Sequence, residues 1–171
     1  MEPKEVQAID TMCRVFYCKG EAAKSMVDFY EGKVMVHTTF GGWMKKFGIK
    51  PGEEWKMFAF VGKPSVEEMV AEMDEIGVQY VFMDQSIAWS RREQKPWGTI
   101  SIEEIAELVE KSKGRVVGVA GYNPLQIEES LRDVERAVKD FGFKTVWAHP
   151  TSFGLNFADR KMYPLYTKCL E

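Results

Sequence analysis

The sequence predicts an α/β protein made of parallel (β/α) units, about half of a TIM-barrel-like fold. Two patterns and one count predict the units. From Pro64 onward, capped amphipathic helices end at glycines, and each is followed by a short apolar run. Those runs are rich in Val, Phe and Tyr, the composition of strands covered by helices. Four strands fit the 171 residues, whereas a closed eight-stranded barrel needs about 250.

Taken in order, Val6 to Val15 predicts a first strand and Ala22 to Tyr30 a helix. His37 to Gly52, with its Gly41-Gly42 pair, reads as a long connection, and residues 31–63 as an insertion over the active face. The first clear unit opens with Ser65 three residues before Glu68, a capping-box spacing. Val66, Met69, Val70, Met73 and Ile76 share one helical face, Gly77 ends the helix, and Val78 to Met83 forms a strand that finishes at Asp84. The second unit pairs Ser101 with Glu104, lines up Ile102, Ile105, Ala106 and Val109, stops at Gly114 and continues as a strand from Arg115 to Ala120. In the third, Ile127, Leu131, Val134, Val138 and Phe141 keep helical spacing, Gly142 ends the helix, and Phe143 to Ala148 is the strand. Asp159 to Leu170 predicts a further helix with a break at Pro164. No linker divides the chain, so residues 1–171 read as one domain.

Composition narrows the partners. With 45% hydrophobic and 13% aromatic residues the chain can build a core. Its 23 basic against 26 acidic residues leave no cationic excess for nucleic acid or an anionic membrane. A small molecule or another protein is the expected partner. No apolar run approaches the ~20 residues of a membrane span, and Met1 to Glu5 lack a secretory pattern, so a cytoplasmic protein is expected. Cys13, Cys18 and Cys169 form no Cys-x-x-Cys pair, and the two histidines, His37 and His149, leave little room for histidine-based metal chemistry. No Walker or dinucleotide loop is present. Two raw sheet edges are expected in a half-barrel, which predicts a homo-oligomer, pairing with a paralogous barrel subunit, or a longer protein. Leu170-Glu171 lies inside a helix just ahead of where a fifth strand is expected.

Ligands of parallel α/β folds bind beyond the carboxyl ends of the strands. The residues there are Asp10 to Arg14, Asp84 to Arg92, Tyr122 to Pro124 and His149 to Gly154. Gly118-Val119-Ala120-Gly121-Tyr122-Asn123-Pro124, Glu135-Arg136-Ala137-Val138, Gly142-Phe143-Lys144, His149-Pro150, Gly154 and Tyr163-Pro164-Leu165-Tyr166 stand in an order that resembles the amidohydrolase 2 family. That family includes aminocarboxymuconate-semialdehyde and resorcylate decarboxylase-like enzymes and related hydrolases. The resemblance covers roughly Ser65 to Leu170.

The resemblance implies a distorted (β/α)8 barrel that holds a divalent metal, commonly zinc, through a His-x-His pair on the first strand, a histidine on the fifth and an aspartate on the eighth. In this chain Met12 and Arg14 stand where the His-x-His pair belongs, and the fifth and eighth strands are not in the sequence, so none of the ligands is visible. Arg14 places a permanent positive charge where a carboxylate ligand is expected. Asp84, Asn123 and His149 join it as a candidate polar ring that binds a small carboxylated substrate. Each has a plainer alternative: Asp84 starts a turn, Asn123 belongs to the loop before Pro124, and His149 packs at a strand end. Asp10 either orients a mouth residue or bonds nearby amides. Arg91 and Arg92, with Trp89 and Trp97, read as a lid contact or as solvated charge; His37 reads as a loop residue and Cys13 as a core thiol. No catalytic residue is assigned. The activity implied is hydrolysis or decarboxylation, and the alternative is a non-catalytic half-barrel that binds a ligand.

Overall fold

The computed structural model describes residues 7–13, 27–57, 65–97 and 99–171. Along the chain run β1 (Ala8–Cys13), α1 (Tyr30–Lys46), α2 (Val66–Ile76), β2 (Val78–Asp84), β3 (Ala88–Ser90), β4 (Lys95–Trp97), α3 (Ile102–Lys111), β5 (Val116–Tyr122), α4 (Ile127–Phe141), β6 (Thr145–Ala148) and α5 (Tyr163–Lys168). Short 3-10 turns cover Pro150–Phe153 and Arg160–Met162.

Local chemistry fixes the helix ends. Ser65 Oγ accepts the Glu68 N–H at 3.1 Å, and Ser101 with Glu104 forms a complete capping box. At the other ends Gly77 and Gly142 take left-handed conformations, φ 80° and 71°, which a side chain would oppose. β1, β2, β5 and β6 pair in that order as one parallel sheet, with Asp10 beside Val81, Met83 beside Gly118 and Gly121 beside Trp147.

Alternation along the strands sorts the side chains. Val81, Met83, Val116, Ala120 and Tyr122 face the helices and are buried in two adjoining cores that α2, α3 and α4 complete. Gly118 shares that face because the Phe143 ring lies on it: a Cβ at 118 would stand 2.2 Å from the ring. Fully burying a side chain as large as Phe143, 1% exposed, contributes about 1.5–3 kcal/mol. The opposite face is partly open, with Tyr80 36% and its neighbour Ile9 53% exposed. Among the described residues β1 and β6 each pair on one side only.

Four features differ from the sequence expectations. The 17-residue helix α1 starts at Tyr30 and runs through much of the segment read as a long connection. Its Gly41-Gly42 pair costs about 1 kcal/mol per glycine, offset by a separate small core of Val27, Val36, Met44 and Met57. Pro164 lies in the first turn of α5, where its missing N–H breaks no bond, so it helps begin that helix rather than interrupt it. The last sheet strand starts at Thr145, because Phe143 is committed to the core. Finally β3 and β4 form an antiparallel hairpin where a loop was expected. No described helix is long and apolar enough to cross a membrane.

Candidate functional site

The carboxyl ends of β2, β5 and β6 carry Asp84, Asn123 and His149 to one end of the sheet. Asp84 is 2% exposed and its Oδ1 accepts the Ser86 N–H at 2.6 Å, forming a turn. That turn sets Ser86 in a left-handed conformation, φ 51°, and buries its hydroxyl without a partner among the described residues. Asn123 is bound into its own loop: Oδ1 accepts from Leu125 N, Nδ2 donates to Gln126 Oε1, and its backbone N–H donates to Ser130 Oγ. His149 is exposed, stacks on Trp147 with ring centroids 5.3 Å apart, and places Nε2 3.1 Å from Thr151 Oγ1. Asp10 is exposed on β1. Arg14 and Cys18 lie outside the described residues, as do the side chains of Met12, Cys13 and Trp97.

Gln85, which sequence reasoning passed over, bridges this end of the sheet: its Oε1 accepts the Gly121 N–H at 2.7 Å and its Nε2 donates to Ile100 O at 3.2 Å. His37 lies on α1 rather than in a loop and bonds the buried Glu54 carboxylate at 2.8 Å, which also accepts the Gly52 N–H.

The hairpin is fastened on two sides. Toward β6, the Trp89 N–H donates to Ser152 Oγ at 3.2 Å, Ser152 Oγ in turn donates to His149 O, and the Trp89 ring stacks on Phe153 at 5.8 Å. Toward α1, Ser90, fully buried, donates from Oγ to Glu31 Oε2 at 2.9 Å, while the Arg92 N–H reaches Glu31 Oε1 at 3.4 Å. Burial pushes the Glu31 carboxyl up, but hydrogen bonds from backbone N–H groups, including those of Arg91 and Arg92, and from Ser90 outweigh it and hold it below the ordinary carboxylate range. Arg92 lies 5.2 Å over the Tyr30 ring and Lys95 5.0 Å over Phe29. A sequence signal for the hairpin does exist, in the Ala-Trp-Ser and Lys-Pro-Trp runs that flank four polar residues.

Among the described residues no three of His, Cys, Asp and Glu come together as a metal site, so the donor set in view does not fit a bound divalent ion. Two clefts lie away from the strand ends. One, about 360 Å³, runs between α4 and α5, where Lys168 is paired with Glu135 and Glu171; the other, about 330 Å³, lies at the amino ends beside Asp74 and Arg115.

No family model matches the chain, and no curated protein is similar to it. Solved structures are similar in fold. A 5-carboxyvanillate decarboxylase from Novosphingobium aromaticivorans, bound to manganese and 3-methoxy-4-hydroxy-5-nitrobenzoic acid, superposes on 98% of the chain with TM-score 0.62 at 15% identity. An uncharacterised TIM-barrel protein from Bordetella bronchiseptica covers 96%, with TM-score 0.59 and 17% identity. A dihydroxybenzoic acid decarboxylase from Polaromonas, bound to manganese and 2-nitroresorcinol, covers 95%, with TM-score 0.54 and 20% identity. The chain therefore has the fold of a partial TIM barrel, and it spans 49%, 52% and 46% of those three proteins. The two decarboxylases hold manganese, so the expectation of zinc finds no support among them.

Proposed function

We propose that the chain is the amino-terminal half of an amidohydrolase 2-like decarboxylase that takes a small carboxylated aromatic ligand at the carboxyl ends of its strands, in the cytoplasm. The observation that carries this reading is the fold shared, over nearly the whole chain, with decarboxylases whose bound ligands are substituted benzoic acids or phenols. It favours carbon–carbon bond cleavage over hydrolysis. Arg14, Asp84, Asn123 and His149 are the proposed substrate-binding residues, with Arg14 supplying charge and His149 an exposed ring and a hydrogen-bonding nitrogen. A divalent metal belongs to this reading only with ligands beyond the described ones, so the work of the residues in view is to bind and orient the ligand.

Calorimetric titration of the full chain with 2,6-dihydroxybenzoate, with and without manganese, tests it, with carbon dioxide release as a second readout. Binding of the acid in preference to resorcinol is the expected result. No binding under either condition refutes the reading.

A second reading, a non-catalytic half-barrel that pairs with itself or with a paralogous subunit, draws on the partly open sheet face at Ile9 and Tyr80. A ligand-binding dimer in light scattering with no turnover would favour it.

A further inference from the structure

We propose that Arg91 is the carboxylate-recognition residue of this site, presented at the mouth by the β3–β4 hairpin. The inference rests on the reading that the chain takes a carboxylated ligand there, and it names a residue which that reading does not use.

Three observations carry it. The first is the allocation of charge on the hairpin. Of its three cations, Arg92 is seated on Tyr30 and Lys95 on Phe29, while the guanidinium of Arg91 has no acceptor, carboxylate or ring partner among the described residues. Glu31, the α1 carboxylate bonded to the hairpin, is committed to Ser90 and to backbone N–H groups of the turn, so its charge fixes the turn rather than pairing with the Arg91 side chain.

The second observation is placement. The guanidinium lies against Gly154, in the loop that follows His149; a Cβ at 154 would stand 2.6 Å from the nearest Arg91 nitrogen. Any side chain at 154 would displace it, and the glycine's φ of 75° excludes most of them in any case. The hairpin that carries Arg91 is tied to the loop after β6 through Ser152, which accepts from Trp89 N and donates to His149 O.

The third is the company it keeps. Trp89, two residues from Arg91, is half-buried and backed by the buried Phe153 ring, so it supplies the apolar side for an aromatic ligand, and a guanidinium fork matches a carboxylate through two parallel hydrogen bonds. A cation next to an aromatic wall selects an aromatic acid over its neutral counterpart.

The test is titration of wild type, Arg91→Ala and Arg91→Lys with two probes, salicylate and phenol, which differ by the carboxylate alone. Arg91 is exposed, so neither variant disturbs the core. The expected result is a loss of about tenfold in salicylate affinity for Arg91→Ala, a smaller loss for Arg91→Lys, which keeps charge without the fork, and no change toward phenol. Unchanged salicylate affinity in Arg91→Ala overturns the proposal and leaves the functional reading standing. Equal loss toward both probes also overturns it, because the residue would then be shaping the site rather than reading the carboxylate. A wild type that binds neither probe overturns the proposal and the functional reading together.

Discussion

Alanine at position 118 adds one methyl group at a point where the structure has no room for it. The added carbon would stand 2.2, 2.4 and 2.6 Å from three carbons of the Phe143 ring, about 1 Å or more inside the roughly 3.5 Å of ordinary carbon contact. Neither side has slack. Gly118 is held in β5 between β2 and β6, and Phe143 is 1% exposed among Ala120, Tyr122, Val134 and Ala137. Overpacking of this kind costs about 1–3 kcal/mol, and the depth of overlap at three atoms places Gly118→Ala at the top of that range. In a chain of this size that lowers Tm by about 6–12 °C. Urea unfolding followed by circular dichroism measures it. Phe143→Ala alone removes a buried ring and should cost about 3–5 kcal/mol. The double variant vacates the space the new methyl needs, so its cost should fall short of the two single costs by about 1 kcal/mol or more. Additive costs, or a loss below about 0.5 kcal/mol for Gly118→Ala, would refute the packing of Phe143 on Gly118 and the close seating of the β5–β6 pair that depends on it.

Arg115 ties three elements at the amino ends: Nε donates to Gln79 O, one terminal nitrogen to Val78 O and the other to Asp74. Arg115→Lys keeps the charge and loses the fork, and should cost about 1–2 kcal/mol by urea midpoint, whereas Asp74→Asn, at a carboxylate 62% exposed, should cost less than about 0.5; the reverse order would assign the stability to the ion pair. The second prediction concerns acid. Burial pushes the Glu54 carboxyl up, but bonds from the Gly52 N–H, its own N–H and His37 hold it below the usual 4.5, so its folded pKa is lowered. Its stabilising contribution is therefore complete above about pH 4.5 and is lost as pH falls through the lowered folded value. Glu54→Gln should flatten the dependence of stability on pH below about 4.5, and an unchanged slope would remove Glu54 from the acid response.

The helices starting at Ser65, Ser101 and Ile127 were legible because their stripes and most of their ends are written locally: a serine three residues before a glutamate, a glycine after the last apolar residue. Helix α1 was not: Val36, Phe40, Trp43 and Phe47 keep helical spacing, but Gly41-Gly42 interrupts them, and Trp43 and Phe47 are exposed, so that stripe is not the face the helix buries. Its packing partner Met57 lies beyond its end, outside any helical window. At the site, positions could be read but partners could not. Strand ends located Asp84, Asn123 and His149, yet the bond from Ser90 to Glu31 spans 59 residues of sequence and that from Trp89 to Ser152 spans 63. Arg91 and Glu31 acquire meaning only from such long-range contacts.

In the sheet, spatial neighbours are also successive units of the chain, so no later strand has to thread between earlier ones. The assembly therefore grows like masonry laid in courses: each course rests on the one before, and among the described residues β6 pairs on one side only, so a further parallel strand laid there would disturb no bond already made. Thr145 stands on that edge with a buried hydroxyl that has no partner among the described residues.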